Sequence, residues 1–460
     1  MIKLFRHHVS VGSVVMLTAD TLLLLAVVPL AVAIHDGARQ AFGALLPAVV
    51  FAALMLGLNG SLGLYRREGA AGFGGHLGRV LLAVAIGMPV AYMLFSVTPY
   101  GYEARSAIGY TIVLTLSGLI LLRQVVFWAS TAGLGAKRVL IIGTGDDAAG
   151  VEKALATLGY PSMAIVGFYP VAQGSEAAAV PADRILPRTL PLSEVVSGLG
   201  IQEVIVAVRE QRGGVLPMRE LIECRVSGVP ITDLAGIYER VRGEVPIESL
   251  KASWLIYGQG FSQDRVRTFI KRSFDLLVSA VMLVLTLPLM LATALAIRLE
   301  SPGPVIFRQD RAGRGGRAFT CLKFRSMRAD AEADGQPRWA TVDDDRVTRI
   351  GRFLRKTRID ELPQLINVLR GEMSFVGPRP ERPGFVNELK KAIPYYDLRH
   401  SVKPGITGWA QVRYSYGASV EDARKKLQFD LYYVKNHSLF LDLLILVETV
   451  RVVLFREGAH

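Results

Sequence analysis

Long apolar runs recur at nearly even spacing through the first third of the chain, at about residues 11–34, 42–65, 77–97 and 107–128. Each approaches the ~20 residues a helix needs to cross the hydrocarbon core of a bilayer, so four transmembrane helices are expected. Pro29 and the lack of a cleavage-like pattern mark the first as a retained span. Lys3, Arg6, Arg66, Arg67, Arg79, Arg123, Lys137 and Arg138 gather at one set of helix ends, against Arg39 and Arg105 at the other. That asymmetry places both ends of the bundle in the cytoplasm. Asp20 falls inside the first run, where an ionisable group is expected to be satisfied by an interhelical hydrogen bond.

The pattern then changes to short apolar runs separated by helical periodicity. Lys137 to Ile142 reads as a buried parallel strand that turns through Gly143 and Gly145 into a helix beginning near Ala148. Further runs at 165–169, 203–208 and 229–234 alternate with a helical stretch at 216–227, which predicts a Rossmann-like α/β domain over 135–247. The glycine fingerprint is only GxGxxA, and no acidic residue follows the second strand at the distance a ribose would require. A structural or regulatory domain is therefore expected, not a nucleotide-binding one. Residues 172–188 read as a surface loop and 248–267 as a linker.

A fifth apolar run, 276–297, carries no charge but has Pro288 near its middle. Basic residues flank it on both sides, so charge gives no preference for crossing. A helix–break–helix that enters and leaves by the cytoplasmic face is expected, with the break at Pro288. After it, 301–311 and 319–327 predict two strands joined by a Gly/Arg turn. Asp343, Asp344 and Asp345 are expected to be a solvated acidic start, not a metal site. Residues 346–358 form a basic amphipathic pattern suited to an anionic membrane surface. Leu362, Leu365, Ile366 and Leu369 then fall at helical spacing, Gly371 marks the stop, and Asp360 occupies the expected N-cap, followed by Glu361. Such a helix start favours an ionised carboxylate and suits phosphate. Two final helices are expected at 420–436 and 439–455, the last too polar to span.

Charge changes this picture. The chain carries a formal +13, and residues 264–460 hold 33 Lys and Arg against 22 Asp and Glu, a net +11. The basic half calls for an anionic partner. Arg311, Lys323 and Arg325, and Arg379 fixed between prolines, can clamp phosphates, although each alone can equally be a solvated surface charge. Lys403 and Arg413 flank a Gly/Pro/Trp stretch able to hold a nucleotide. The two cysteines, Cys224 and Cys321, have no disulfide or zinc spacing.

Lys271-Arg272-x-x-Asp275, SPGPVIFRQDRAG (301–313), LKFRSM (322–327), RIDELPQLINVLRGEMSFVGPRP (358–380) and KPGITGWAQV (403–412) together resemble the bacterial sugar transferases, the monotopic phosphoglycosyl transferases. The resemblance covers about 264–460, and the preceding segments look like those of the large family members. It implies a four-part chain: membrane helices at 1–134, a Rossmann-like domain at 135–247, a linker at 248–267 and a mainly helical catalytic domain at 268–460. It also implies transfer of a hexose-1-phosphate from a UDP-sugar to undecaprenyl phosphate, at the bacterial inner membrane with the active site cytoplasmic. Asp360 would be the nucleophile and Glu361 its partner, with Mg²⁺ as cofactor held by these two carboxylates, and Arg311, Lys323, Arg325, Arg379, Lys403 and Arg413 as candidates for phosphate. The lipid bilayer is a further partner, a homodimer is in keeping with large members, and no nucleic acid is expected. Many members have Ser-Pro at the membrane-helix break, where this chain has Leu287-Pro288. A membrane nucleotide-sugar dehydratase, or a non-enzymatic polysaccharide-export scaffold, is the competing expectation. The first would need a second dinucleotide turn and a Tyr-x-x-x-Lys pair, which the sequence lacks.

Overall fold

The structure is a computed structural model that describes residues 2–4, 7–9, 11–65, 73–99, 101–131, 136–157, 163–171, 178–208, 216–247, 265–328, 346–414, 417 and 419–455. The acidic run 343–345, most of the linker and part of the 172–188 loop lie outside these residues. Two compact units are present, one built mainly from residues up to Gly243 and one mainly from Glu244 onward.

The first unit begins with α1 (Val11–Asp36), α2 (Leu45–Ser61), α3 (Phe73–Phe95) and α4 (Ile108–Thr131). Segments of α1, α3 and α4 are long and apolar enough to cross a membrane; α2 is shorter, because turns occupy Phe42 to Ala44 at one end and Leu62 to Tyr65 at the other. Leu24, Phe51, Met55, Phe95 and Leu119 pack into their common core. Asp20 is fully buried and takes two hydrogen bonds from the Arg123 guanidinium, at 3.0 and 2.6 Å, plus one from the Tyr65 hydroxyl at 2.9 Å. The expected interhelical partner of Asp20 is thus a bidentate cation. Arg123, read from the sequence as a flanking charge, is drawn into the bundle to neutralise it.

The α/β part holds four parallel strands: β1 (Lys137–Ile142), β2 (Met163–Tyr169), β3 (Glu203–Val206) and β4 (Ile231–Asp233), in the order β2-β1-β3-β4. Alternation along β1 sends Val139 and Ile141 to one face and Leu140 and Ile142 to the other, and each face is covered by its own helical layer. Gly143 has φ 114°, and a Cβ there would lie 2.7 Å from the Ala207 carbonyl oxygen. A close backbone approach therefore accounts for this glycine without any ligand.

The second unit opens with α9 (Arg265–Glu300); helices between α4 and α9 are α5 (Asp146–Thr157), α6 (Leu192–Gly198), α7 (Met218–Val226) and α8 (Leu234–Arg242). α9 is the fourth helix, among the described residues, long and apolar enough to cross a membrane. It stays helical through Pro288 and is not divided into two helices there. A proline deletes one rung and strains its own turn, while the rungs on either side remain. Its middle exposes Leu277, Val284, Leu285, Leu291 and Leu295, a surface suited to lipid. Its first turns instead grip the rest of the second unit. Arg272 donates to the carbonyls of Val368 and Leu369 at 2.6 and 2.9 Å, and Asp275 accepts from the Phe375 amide at 3.1 Å. Lys271 bridges Asp275 and Asp442 at 3.1 and 2.8 Å.

β5 (Ile306–Ala312) and β6 (Ala318–Phe324) form the expected antiparallel hairpin. Then follow α10 (Arg349–Thr357), α11 (Gln364–Arg370), β7 (Ser374–Val376), α12 (Pro383–Ala392), β8 (Gly405–Thr407), α13 (Val420–Asn436) and α14 (Leu439–Phe455). β7 and β8 pair in parallel. α14 packs through Leu441 and Ile445 into the main core, and its Asp442, Glu448 and Arg451 are buried among partners. The architecture joins apolar membrane-length helices, a parallel α/β sheet and a mainly helical second unit.

Candidate active site

Asp360 does not cap α11. Arg358, in the left-handed region at φ 59°, ends α10 and starts a 3-10 turn, Ile359–Glu361, and α11 begins only after Pro363. The expected N-cap is displaced because Pro363 takes that position and offers no side-chain cap. The pair is therefore carried on a tight turn between two helices. Asn367 of α11 ties this region to β6: it accepts from the Leu322 amide at 3.0 Å and donates to the Thr320 carbonyl at 2.8 Å.

Both carboxylates are 7% exposed, yet their surroundings differ. One Glu361 oxygen, Oε1, receives Arg379 at 2.8 Å, Lys323 at 3.3 Å and Arg358 at 3.5 Å. Burial alone would raise the Glu361 carboxyl; these three cations outweigh it and hold it well below the usual range. The Asp360 Oδ1 atom is buried without a hydrogen-bond partner. Burial and the neighbouring Glu361 charge push the Asp360 carboxyl up, against the pull of Lys323, Arg358 and Arg379. One carboxylate is thus a shared counter-ion, and the other keeps a free oxygen.

Asp360 faces a cavity of about 920 Å³. Twelve of its lining residues are Arg or Lys and three are Asp or Glu, which selects an anion. The volume lies within the range of small-molecule sites. Of the phosphate candidates, Arg311, Lys323 and Arg379 line this cavity. Arg311 also donates to the Pro380 carbonyl at 3.1 Å, and burial holds its guanidinium below its usual value. Arg325 borders the cavity, but its guanidinium is bonded to the Ser301 and Pro302 carbonyls, each at 2.8 Å, where it fixes the chain leaving α9. Lys403 and Arg413 lie outside the lining. Lys403 sits in the field of Arg272 and Asp275, its ammonium lowered by burial and then by Arg272. Arg413 stacks on Trp409, 4.2 Å from the ring centroid, and lies 3.5 Å from Glu448.

The sequence pattern does not single out Arg358, which stands two residues before Asp360 and continues the basic amphipathic pattern of 346–358. α10 in fact has two faces: Arg349, Arg352, Phe353 and Lys356 are exposed, whereas Arg355, with Arg346 and Arg358 just outside the helix, borders the cavity. Tyr396, Arg399 and Asp430 also border the cavity, and no local pattern points to them, since Asp430 meets Arg399 only across 31 positions. A Mg²⁺ ion was expected at Asp360 and Glu361. Among the described residues no group of three or more His, Cys, Asp or Glu side chains forms a metal cage. The unpartnered Asp360 Oδ1 nonetheless fits the usual magnesium mode, one or two carboxylates completed by substrate phosphate oxygens.

A family model described as bacterial sugar transferase matches residues 266–456, which contain every element of this site. An Aeromonas hydrophila protein named UDP-N-acetylgalactosamine-undecaprenyl-phosphate N-acetylgalactosaminephosphotransferase is 46% identical over 242 residues, 53% of this chain and 56% of that protein. The Escherichia coli K12 UDP-glucose:undecaprenyl-phosphate glucose-1-phosphate transferase is 46% identical over 187 residues, 40% of each chain. The chain thus spans about half or less of the length of these relatives. It spans 93% of a Rhizobium leguminosarum exopolysaccharide production protein, at 43% identity over 186 residues. With the motif-bearing segment matched from α9 to α14 and a relative covered almost end to end, this chain belongs to the bacterial sugar transferase family.

Proposed function

We propose that this protein transfers a hexose-1-phosphate from a UDP-sugar to undecaprenyl phosphate and releases UMP, by way of a covalent intermediate on Asp360. The observation that carries this reading is Asp360, a buried carboxylate that lines a basic cavity, beside a Glu361 that gathers three cations. The names of the Aeromonas and Escherichia relatives support the substrate classes. An Asp360 oxygen attacks the sugar-bearing phosphorus, and the bond to the bridging oxygen breaks, so UMP leaves with that electron pair. An oxygen of the lipid phosphate then attacks the same phosphorus, freeing the Asp360 carboxylate and giving a lipid diphosphosugar. Arg379, Lys323 and Arg358 stabilise charge on the phosphoryl oxygens at fixed positions, which lowers the barrier without reorganisation during the reaction. Asp360, together with phosphate oxygens of the substrate, would hold Mg²⁺, which when bound offsets the mutual repulsion of anionic reactants.

The membrane assignment follows from the same surface. In this reading α9 stays helical but bends at Pro288, where the missing rung lets its axis turn, so that both of its ends meet the cytoplasmic face, and the exposed Arg349, Arg352, Phe353 and Lys356 side of α10 lies against anionic headgroups. The site then meets a cytoplasmic nucleotide sugar and a lipid phosphate together, as the first membrane step of exopolysaccharide or O-antigen synthesis. Asp360→Asn is the direct test. Wild-type protein incubated with labelled UDP-sugar is expected to carry a hexose phosphate on the Asp360 peptide by mass spectrometry, and the variant to carry none and release no UMP. Turnover by Asp360→Asn at the wild-type rate would remove Asp360 from the chemistry. A topology reporter fused after residue 460 is expected to signal from the cytoplasm.

A further inference from the structure

Arg379 reaches Glu361 from a stretch of chain that is irregular, Gly377 to Pro380, flanked by two prolines that cannot donate to neighbours. An arginine on such a loop needs its backbone held by something else. Backbone hydrogen bonds to Gly405 and Thr407 hold its first half, and two other guanidinium groups hold the carbonyls of Arg379 and Pro380. Arg399 donates to the Arg379 carbonyl at 2.9 Å, and Arg311 to the Pro380 carbonyl at 3.1 Å. Arg399 itself is 5% exposed, and each of its three nitrogens has a protein partner. Its Nε lies 3.0 Å and a terminal nitrogen 2.8 Å from Asp430 Oδ2, and the other terminal nitrogen donates to the Tyr396 hydroxyl at 2.8 Å. Asp430 is 1% exposed and rides on α13, while Arg399 and Tyr396 belong to the 3-10 segment Tyr396–Ser401. The cluster therefore ties α13 to the loop that carries Arg379. A buried cation with its donors spread over a carboxylate, a phenol and one backbone carbonyl is oriented from every side.

We infer that Arg399, locked by Asp430 and Tyr396, is a positioning residue for the transfer reaction, setting the Arg379 guanidinium against Glu361 through the Arg379 carbonyl. The kinetic form of this inference rests on the transferase reading; the structural form does not. Arg399 borders the cavity, so a direct contact with substrate is the alternative to be separated. Lysine in its place keeps the charge beside Asp430 but cannot reach Asp430, Tyr396 and the Arg379 carbonyl together.

A double-mutant cycle with Arg379 distinguishes the two roles. Arg399→Lys is expected to lower kcat by about 10- to 100-fold with the KM for UDP-sugar nearly unchanged. In an Arg379→Ala background the same substitution is expected to cost almost nothing further, because the group it positions is gone. Effects that multiply in the double variant would overturn the positioning role and make Arg399 a substrate contact or a general stability residue. Tyr396→Phe, which removes one partner only, is expected to give a smaller loss of the same kind. Hydrogen–deuterium exchange of the 375–382 segment in the full-length protein, without substrate, is a readout independent of chemistry. Arg399→Lys is expected to speed exchange of the Gly377 and Arg379 amides while α1 to α4 are unchanged; unaltered protection overturns the inference. Faster local exchange in a protein whose wild type releases no UMP would leave the positioning standing and remove only the transferase reading.

Discussion

Gly405→Ala tests how closely the Arg379 loop must be held. β7 and β8 meet at two glycines: Gly377 donates to the Thr407 carbonyl and Gly405 to the Pro378 carbonyl, both at 2.9 Å. A Cβ built on Gly405 would lie 2.0 Å from the Gly377 nitrogen and 2.5 Å from the Thr407 oxygen. All of these atoms are backbone, so no side chain can rotate away. Ordinary contact begins at 3.4 Å, and relieving the first clash alone separates the strands by about 1.4 Å. If the loop follows Gly377 rigidly, the Arg379–Glu361 distance of 2.8 Å opens to about 4.2 Å, beyond hydrogen bonding. Losing a hydrogen bond to a charged group costs about 1.5–3 kcal/mol, or about 10- to 100-fold in rate, in line with the penalty for a ~1 Å misplacement in a site. Weakening both strand hydrogen bonds removes a further ~1–3 kcal/mol of stability. The assay pairs UMP release with thermal unfolding in detergent. Gly384→Ala serves as control, since nothing lies within 4 Å of its would-be Cβ. A Gly405→Ala protein with the kcat and Tm of the wild type would refute the steric argument and, with it, the claim that strand spacing sets Arg379.

Two further outcomes follow from buried charges. His400 is 8% exposed, and burial followed by the Arg399 charge pulls it from 6.5 down to about 4. The unfolded chain therefore binds this proton more tightly, so the stabilisation is complete above pH 6.5 and is lost as the pH falls toward 4. Urea unfolding of the wild type should show a slope across that window, and His400→Asn should flatten it; an equal slope in both contradicts the assignment. In the membrane bundle, Arg123→Leu leaves Asp20 buried with only the Tyr65 hydroxyl, a change expected to cost about 3–5 kcal/mol and to lower folded yield, while Asp20→Asn with Arg123→Leu recovers much of it. Yields that fall further in the double variant would argue against a neutralising pair.

Much of the architecture follows from local pattern. Apolar run length marked α1, α3, α4 and α9, a short continuous apolar run before two glycines marked β1, and the Gly/Arg turn marked the β5–β6 hairpin, because hydropathy and turn chemistry act over a few residues. The carboxylate pair stood out for the same reason, as adjacent acids in one motif-bearing run. Local pattern also misled where two signals compete. An N-cap was expected at Asp360, but Pro363 and the left-handed Arg358 insert a 3-10 turn and move the helix start to Gln364. Pro288 suggested two helices where one continuous helix is present.

The sequence by itself determined that this chain carries membrane-length apolar helices, a parallel α/β segment and a basic, motif-bearing half with Asp360-Glu361 at its centre. Only the tertiary structure decided which of many arginines serve that pair. Lys323 meets Glu361 across 38 positions and Arg399 meets Asp430 across 31, while Arg325 and Arg413, equally suggestive in the sequence, are engaged elsewhere, and Lys403 lies outside the cavity lining. The physical reason is that a long cationic side chain carries little preference of its own for a partner. Burial withdraws water from it, and the carboxylates and carbonyls that folding brings within reach then become its partners.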